Sequence, residues 1–460
     1  MRGTIIIAAI ATVCGALMLV FGHVFWYSDG HVFLQFAEDL THIRLNPDLL
    51  SRSPGYPIVP ILSGATSGEL YGTFVLHTLM GIAAPVMIYL AVRPFDRLAA
   101  FIVALVAALS FITFGFALMI YQSQTFMFDL ALCGFLLSLA LRGHARAFYW
   151  LAVALVLLAW MRPTGYVVAA LCLAVILYTR VNLRYAAAAT ALFVAIISGF
   201  AAFQSHETRD KTYSLDTGAQ LFYNPYFRGL MAGDTELIER LWTCEKFSFT
   251  ATETLAQPDF QVFWPLLACF NDDELMAAAL RALANHPVKA IKGTLANLAG
   301  FTIGPPWTFH GDADAFEGTP HFLPLVPNDS DPPTEAHLYV SPRWISTAVQ
   351  TEGERALDEA FGSVYLVTAP AAFVLMLIGL FGIRRFGFVP LGIAAVYAGH
   401  VGPMAVLVDP QFRYQAETVP LALMGAGFGL AVLLSFVRDR RKALRSEPAQ
   451  ARTQESAGPL

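Results

Sequence analysis

Apolar residues along this chain of 460 residues gather into blocks that are separated by short polar connections. A helix of about twenty apolar residues is long enough to cross a bilayer core about 30 Å thick. The pattern therefore predicts an all-α polytopic membrane protein with about ten transmembrane helices. The predicted spans are residues 4–24, 71–92, 98–120, 125–141, 147–161, 167–180, 185–203, 363–383, 386–408 and 415–437.

Polar segments divide the chain into four parts. Residues 1–203 form an N-terminal transmembrane module. Residues 204–362 have the composition of a soluble protein, and we expect a mixed, mostly helical extracytoplasmic domain there. Residues 363–437 supply the C-terminal transmembrane helices. Residues 438–460 are a polar cytoplasmic tail, which is predicted to be disordered from Ser446 onwards.

Helices are also predicted inside the polar segments. Residues 25–70 form a loop after the first span, and apolar positions recur with helical spacing between residues 32 and 40. This spacing predicts an amphipathic helix that lies on the membrane surface or against the bundle. In the soluble-like segment, Asn271 or Asp272 is a suitable N-cap for a helix that breaks at Pro287.

Basic residues in the short connections all fall on one side of the ten-span topology. They are Arg93, Arg97, Arg142, Arg146, Arg180, Arg184, Arg384 and Arg385, followed after the last span by Arg438, Arg440, Arg441 and Lys442. The positive-inside rule makes this side cytoplasmic. Both termini are then cytoplasmic, and residues 25–70 and 204–362 lie on the opposite side of the membrane.

The composition supports a membrane protein and limits its chemistry. Charged residues make up only 14% of the chain, whereas soluble proteins carry about 25%. Cys244 and Cys269 fall in the predicted external domain, where an oxidising compartment would allow a disulfide, but the sequence leaves their pairing open. No Cys/His spacing is typical of a zinc site, and no cluster of basic and aromatic residues indicates nucleic-acid binding.

Asp29 follows the first span in the sequence WYSDGHVF and has two interpretations. A carboxylate among aromatic residues at the membrane face is partly shielded from water, which makes it more basic and suits it to accept a proton from a hydroxyl group. Ser-Asp-Gly before an apolar-periodic segment is also a good N-cap. The spacing alone favours the cap, with the general base as the alternative.

Three isolated arginines lie at the predicted outer face, against the general charge bias. Arg52 is in SRSPGYP, Arg162 is in AWMRPTGY and Arg413 is in DPQFRYQAE. A guanidinium group holds phosphate through a fork of donors, so one anionic ligand at that face would account for all three. The alternative is that each side chain extends to the lipid headgroups.

Other polar residues near the same face have structural alternatives. Tyr56, Gln124 and Tyr414 are candidates for a sugar or acceptor pocket, although Gln124 could instead satisfy the end of a helix. His77 and His400 fall inside spans, where hydrogen bonding within the bundle is the expected role. The sequence has no Gly-rich phosphate loop, GxSxG or HExxH motif.

Four segments resemble motifs of the GT-C membrane glycosyltransferases, a group that takes sugars from polyprenyl phosphates and includes protein mannosyltransferases and aminoarabinose transferases. The segments are DGHVFLQFAEDL, SRSPGYPIVPIL, WMRPTGYVVAALCL and QFRYQAETVPLAL. The resemblance covers residues 25–180 and 363–437 and rests on the order and spacing of these segments. Phe33 stands where the group often has Tyr, and the domain 204–362 has no part in the resemblance.

The resemblance implies roles for the candidate residues. Asp29 would be the general base, and Arg52, Arg162 and Arg413 would hold the donor phosphate. A hydroxyl group of an acceptor glycan, lipid or protein would attack a polyprenyl-phosphate-linked sugar, with inversion, at the outer face of a bacterial inner membrane. No cofactor is certain; a divalent cation is the candidate, and Asp312 begins a D-x-D motif in the external domain.

Two other functions stay open from the sequence. A transporter or flippase for a lipid-linked glycan often has inverted repeats and charges near mid-span. Here no repeat is visible, and the notable charges are predicted at the outer face, which favours the enzyme. A non-catalytic subunit for glycan assembly, built on the same scaffold, is the other alternative, and the presence of Asp29 argues against it.

Overall fold

A computed structural model describes residues 2–21, 30–42, 44, 54–67, 70–110, 112–114, 116–118, 122–207, 217–245, 247–256, 260–303, 367–407 and 412–455. These residues form α-helices, short 3-10 helices and turns, with no β-strand among them. The described part of the chain is therefore all-α, as the hydrophobic pattern predicts.

The helices are numbered in chain order. The N-terminal part contains α1 (Arg2–Phe21), α2 (Gly30–Thr41), α3 (Ile58–Ser63), α4 (Tyr71–Val92), α5 (Arg97–Leu109), α6 (Ser123–Leu141), α7 (Ala145–Met161), α8 (Thr164–Thr179) and α9 (Leu183–Glu207). The polar segment contains α10 (Thr217–Phe227), α11 (Thr235–Trp242), α12 (Ala251–Ala256), α13 (Phe260–Leu267), α14 (Asp272–Asn285) and α15 (Pro287–Thr302). The C-terminal part contains α16 (Val367–Leu380), α17 (Ile383–Phe386), α18 (Val389–Leu407) and α19 (Phe412–Glu455).

Apolar helices match each of the ten predicted spans. Helices α1, α4, α6, α9, α18 and α19 are long and apolar enough to cross a membrane, by length and composition. Helices α5, α7, α8 and α16 are apolar but shorter. The chain is a polytopic, all-α membrane protein, so the predicted fold class is confirmed.

Helix α6 packs against α4, α7, α18 and α19 and joins the N-terminal and C-terminal helices into one bundle. The missing side chain of Gly134 leaves room for Leu421 and Met424 of α19. Helices α16 and α19 come closer still, because a Cβ atom at Gly429 would overlap the carbonyl oxygen of Leu375. Small residues permit such close contact in membranes, where van der Waals packing rather than the hydrophobic effect drives helix association.

The third span is shorter than predicted. Helix α5 ends at Leu109 instead of continuing to residue 120, and a short 3-10 helix follows. In that segment, Phe114 and the carbonyl group of Thr113 lie against Gly81, where a Cβ atom would overlap both. Gln124 secures the segment, since its Nε2 donates to Thr113 O at 2.8 Å. The chain therefore turns back onto the bundle after α5, which the apolar pattern alone did not predict.

Helix α2 has the amphipathic character that the sequence predicts. Phe33, Phe36 and Ala37 are buried, whereas Glu38 is exposed. The Phe33 ring packs edge-on against the Tyr56 ring, with 5.0 Å between the ring centroids. The predicted amphipathic helix is confirmed, and its apolar side packs against the protein.

The C-terminal tail differs from the prediction. Helix α19 continues beyond its apolar part as far as Glu455, so the disorder predicted from Ser446 is wrong over that stretch. The tail is rich in Arg, Ala, Gln and Glu, which have a high intrinsic helix propensity. The prediction of disorder relied on the polar composition of the tail and did not take its helix propensity into account.

The described part of the polar segment folds into a helical domain with its own apolar core. The side chain of Asn271 accepts from the Glu274 N–H and the Glu274 carboxylate accepts from the Asn271 N–H, which forms a capping box at the start of α14. Helix α15 begins at Pro287, as predicted. Cys244 and Cys269 form a disulfide, which answers the question that the sequence left open.

Two asparagines fix this domain to the C-terminal end of α18. Asn224 Nδ2 donates to Val406 O at 2.5 Å, and Asn297 Nδ2 donates to Ala405 O at 3.2 Å. The last carbonyl groups of a helix have no partner within the helix, so these two bonds satisfy acceptors that otherwise need water. The domain consequently rests on the end of the bundle where α18 terminates.

Candidate functional site

Buried polar side chains gather near the end of the bundle on which the helical domain rests. Ser123 begins α6, Arg162 follows α7, Thr164 begins α8, and His400 and Glu417 belong to α18 and α19. All five residues are buried. Because buried polar groups need partners within the protein, we expect these side chains to bind one another. They do, and we call this set of five residues the Arg162 network.

An ion pair between Arg162 and Glu417 forms the centre of the Arg162 network. Arg162 Nη1 donates to Glu417 Oε2 at 2.6 Å, and Arg162 Nη2 donates to Ser123 Oγ at 3.1 Å. The Arg162 side chain is only 6% exposed, and the Glu417 side chain is 0% exposed. Taking two charges out of water carries a large desolvation penalty, which close contact and additional hydrogen bonds offset.

Gln122 and Phe126 complete the surroundings of the guanidinium group. The Gln122 amide is assigned the orientation that its neighbours require, in which Nε2 donates to Met161 O at 2.6 Å and Oε1 accepts from Arg162 Nε at 3.2 Å. Arg162 Cζ lies 4.9 Å from the centroid of the Phe126 ring. A guanidinium group that is hydrogen-bonded along its edges and stacked on an aromatic face has a fixed orientation. Arg162 is thus preorganised, as a group that positions a ligand must be.

His400 joins the Arg162 network through Thr164 and Glu417. His400 Nδ1 lies 3.0 Å from Thr164 Oγ1, and His400 Nε2 lies 3.5 Å from Glu417 Oε2. The imidazole ring is also 5.0 Å from the Phe126 ring, centroid to centroid. The Glu417 carboxylate therefore faces two basic side chains, those of Arg162 and His400.

The four segments that resemble glycosyltransferase motifs meet at this end of the bundle. Gly55 of the SPGYP segment donates its N–H to Trp160 O, in the WMRPTGY segment, at 3.0 Å. Tyr56 is fully buried and belongs to one apolar cluster with Phe33 of α2 and Ala416 of the QFRYQAE segment. The central ion pair joins the WMRPTGY and QFRYQAE segments directly. Parts of the chain that are far apart in sequence thus share one location.

The structure describes no side-chain contact for four of the predicted site residues. Asp29 and Arg52 lie outside the described residues. Arg413 and Tyr414 lie in the first turn of α19, and position 413 is one helical turn before Glu417. Their roles stay predictions.

The other predicted polar residues are buried. Tyr56 and Gln124 are both 0% exposed. Gln124 uses its amide to hold the turn after α5, where its Oε1 accepts from the Phe116 N–H and its Nε2 donates to Thr113 O. The sequence offered the end of a helix, rather than this turn, as the structural alternative to a sugar pocket. His77 Nε2 lies 3.4 Å from Thr125 Oγ1, so both His77 and His400 have the contacts within the bundle that were expected of them.

Sequence reasoning missed two carboxylates, Glu417 and Asp129. Glu417 stands four residues after Arg413, within a segment from which only Arg413 and Tyr414 were named as candidates. Asp129 lies in α6, is 2% exposed, and its Oδ2 has no hydrogen-bond partner within the described part of the chain. An acidic residue in an otherwise apolar span is itself a sign of function, and this signal would have found both. The notable charges are therefore not confined to the membrane face.

A divalent cation gains no support from the Arg162 network. The Glu417 carboxylate is already paired with the Arg162 guanidinium group, which leaves it without the free charge that a bound cation would need. Over the residues that the structure describes, no group of three or more His, Cys, Asp or Glu side chains could hold a metal ion. Asp312, which begins the candidate D-x-D motif, lies outside those residues.

Neither a protein-family model nor a curated protein sequence matches the chain. Solved structures that are similar to it include the archaeal oligosaccharyltransferase AglB from Archaeoglobus fulgidus in complex with an inhibitory peptide and a dolichol-phosphate. That match has 10% identity and a TM-score of 0.47, and it covers 96% of this chain and 52% of that chain. The chain therefore spans about half the length of the oligosaccharyltransferase.

Another similar structure is ArnT from Cupriavidus metallidurans bound to undecaprenyl phosphate. Its identity is 14% and its TM-score is 0.37, and the match covers 92% of this chain and 77% of that chain.

Proposed function

We propose that the chain is a membrane glycosyltransferase that moves a sugar from a polyprenyl-phosphate donor to an acceptor hydroxyl group on the extracytoplasmic side. The observation that carries this proposal is the convergence of the four motif-like segments around the buried pair of Arg162 and Glu417. A preorganised arginine beside a turn rich in Pro and Gly is suited to hold a phosphate group.

The proposed reaction is a single displacement. The acceptor oxygen forms a bond to the anomeric carbon while the bond from that carbon to the phosphate oxygen breaks, and polyprenyl phosphate leaves with the electron pair. Asp29 accepts the proton of the acceptor hydroxyl group. Attack from the side opposite the leaving group inverts the anomeric centre.

Arginines would stabilise the leaving group in this reaction. The donor phosphate carries one negative charge and gains a second as the sugar departs, so cations nearby favour the transition state over the ground state. Arg52, Arg162 and Arg413 are the proposed ligands. Glu417 is a positioning residue in this scheme, because its contact with Arg162 Nη1 at 2.6 Å holds the Arg162 guanidinium in one orientation.

The location of the helical domain supports an external acceptor. Asn224 and Asn297 attach the domain at the end of the bundle where α18 terminates, near the Arg162 network. The disulfide between Cys244 and Cys269 is typical of a domain in an oxidising compartment. We therefore assign selection of the acceptor, which is a glycan, a lipid or a protein, to this domain.

Release of sugar from a labelled donor tests the proposal. Membranes that contain wild-type protein should release label from a polyprenyl-phosphate sugar, and Asp29→Asn should reduce the rate by about 10²- to 10⁴-fold. Asn is as good an N-cap as Asp, so this variant removes the base and keeps the cap. Asp39→Asn, a matched change on the partly exposed part of α2, should leave the rate unchanged.

Two outcomes would count against the proposal. Full activity in a folded Asp29→Asn protein would remove Asp29 as the base. An absence of turnover by the wild type across a panel of donor sugars would favour a transporter or a non-catalytic subunit instead.

Asp129 is the observation that favours the transporter alternative. Transporters and pumps use carboxylates inside their spans to couple movement to protons or ions. If the chain flips a lipid-linked glycan, Asp129→Asn should abolish flipping in liposomes. If the chain is a transferase with its base at position 29, the same variant should retain most of the sugar release.

A further inference from the structure

A cavity lies at the end of the bundle opposite the Arg162 network, beyond the last turns of α4 and α6. Its volume is about 460 Å³, which is within the range of small-molecule sites. The lining residues are Leu90, Arg93, Pro94, Arg97, Phe135, Leu139 and Arg142. Three of these seven side chains are guanidinium groups, and they come from two separate connections between helices.

Among the described residues, none that lines this cavity carries a negative charge to balance the three arginines. Asp96, the acidic residue next to Arg97, accepts from Arg438 Nη1 at 2.7 Å and from the Leu98 and Ala99 N–H groups, so its carboxylate is already occupied. Arg142 Nε donates to Ser138 O at 3.2 Å, which directs the side chain along the end of α6.

The rest of the lining is apolar and partly exposed. Leu90, Phe135 and Leu139 belong to membrane-spanning helices and lie on the membrane side of the three arginines. A ligand that fits this surface carries an anionic group for the arginines and a hydrocarbon chain for the apolar wall. Basic pockets between transmembrane helices bind lipid headgroups in this way.

We propose that this cavity binds the phosphate headgroup of an anionic glycerophospholipid from the surrounding leaflet. The guanidinium groups of Arg93, Arg97 and Arg142 bind the phosphate oxygens, and one acyl chain lies along Leu90 and Phe135. The positive-inside rule requires basic residues on this side of the membrane, but it does not require three of them to line one cavity. Arg180, Arg184 and Arg384 satisfy the same bias as exposed side chains that do not line the cavity.

Thermal unfolding of the purified full-length protein in detergent tests this site. Phosphatidylglycerol should raise the Tm of the wild type by several degrees more than phosphatidylcholine at the same concentration. The triple variant R93Q/R97Q/R142Q should lose this difference. The control R180Q/R184Q/R384Q removes the same charge outside the cavity and should retain it. Native mass spectrometry should find phosphatidylglycerol retained by the wild type and the control, and lost from the triple variant.

Three results would overturn the proposal. The first is that phosphatidylglycerol stabilises the triple variant as much as the wild type. The second is that the control R180Q/R184Q/R384Q loses the stabilisation as completely as the triple variant does. The third is that inorganic phosphate reproduces the full effect, which would identify a site for a free anion. If the triple variant does not fold, R93K/R97K/R142K keeps the charge and replaces the forked donors. That variant should fold and retain less phosphatidylglycerol in native mass spectrometry, and unchanged retention would also contradict the proposal. All of these outcomes are independent of sugar transfer.

Discussion

Two ion pairs at opposite ends of the bundle have nearly the same length and very different surroundings. Arg162 and Glu417 are 2.6 Å apart, with exposed fractions of 6% and 0%. Arg438 and Asp96 are 2.7 Å apart, but the Arg438 side chain is 54% exposed. Water screens the second pair and is excluded from the first. Distance alone would make the two pairs equivalent, whereas burial predicts that only the first is costly to break.

The largest effect should come from breaking the buried pair on one side. Glu417→Gln leaves the Arg162 guanidinium charged and without its carboxylate partner. Removing one member of a buried pair costs about 3–5 kcal/mol, and we expect a value near the lower end because the Gln oxygen still accepts one hydrogen bond. Unfolding by titration with a denaturing detergent measures the loss. A loss below about 1 kcal/mol would show that the pair is not effectively buried.

A double variant separates stability from function. Arg162→Met with Glu417→Leu removes both charges and keeps similar volumes. Replacing a whole buried pair by apolar residues is commonly neutral or stabilising, so the double variant should regain most of the stability lost in Glu417→Gln. Sugar release should still be lost, because Arg162 is a proposed phosphate ligand. If the double variant regained both stability and sugar release, the ion pair would have only a structural role.

The difference between the two ends also explains what the sequence could and could not predict. The number and order of apolar helices follow from the hydrophobic pattern, since length and polarity are local properties. The partner of Arg162 is not local: Glu417 lies 255 residues away in sequence. A periodicity argument identifies which face of a helix is buried but not which charged residue meets it there.

The same distinction between local and non-local determinants applies to individual caps, helix ends and hydrogen bonds. Asn271 and Pro287 were predicted correctly because caps and breaks depend on their immediate neighbours. The end of α5 at Leu109 was not predicted, since it depends on the close contact of Phe114 with Gly81, a residue of another helix. Gln124 was assigned to a pocket or a helix end, and its actual backbone partner required the three-dimensional structure.

Asp96 should give an effect of intermediate size at the other end of the bundle. Its Oδ1 accepts from the Leu98 and Ala99 N–H groups at 2.9 and 3.0 Å, which caps α5. Asp96→Ala removes the cap, and we expect a loss of about 1 kcal/mol in the free energy of unfolding. Asp96→Asn keeps a capping oxygen and should lose less. Equal stability of wild type and Asp96→Ala would contradict the assigned cap.

The same residue predicts a pH dependence. Burial raises the pKa of Asp96, but hydrogen bonds from Ala99, Arg438 and Leu98 and the charge of Arg438 outweigh burial, so the pKa is below its ordinary value. A lowered pKa in the folded state stabilises the fold above the unfolded pKa of about 3.9, and this contribution is lost as the pH falls through the folded pKa. Acidification to about pH 3 should therefore destabilise the wild type more than Asp96→Asn, which cannot titrate at this position.

The smallest effect should come from the exposed member of the second pair. Arg438→Gln removes a charge that is more than half exposed, and such pairs contribute about 0–1 kcal/mol. We expect a loss of about 0.5 kcal/mol that shrinks further as salt is added, because added ions screen the attraction between exposed charges. Arg440→Gln, a change of equal charge on the exposed part of α19, is the control. If Arg438→Gln were instead as destabilising as Glu417→Gln at all salt concentrations, exposure to water would not be what distinguishes the two ends of the bundle.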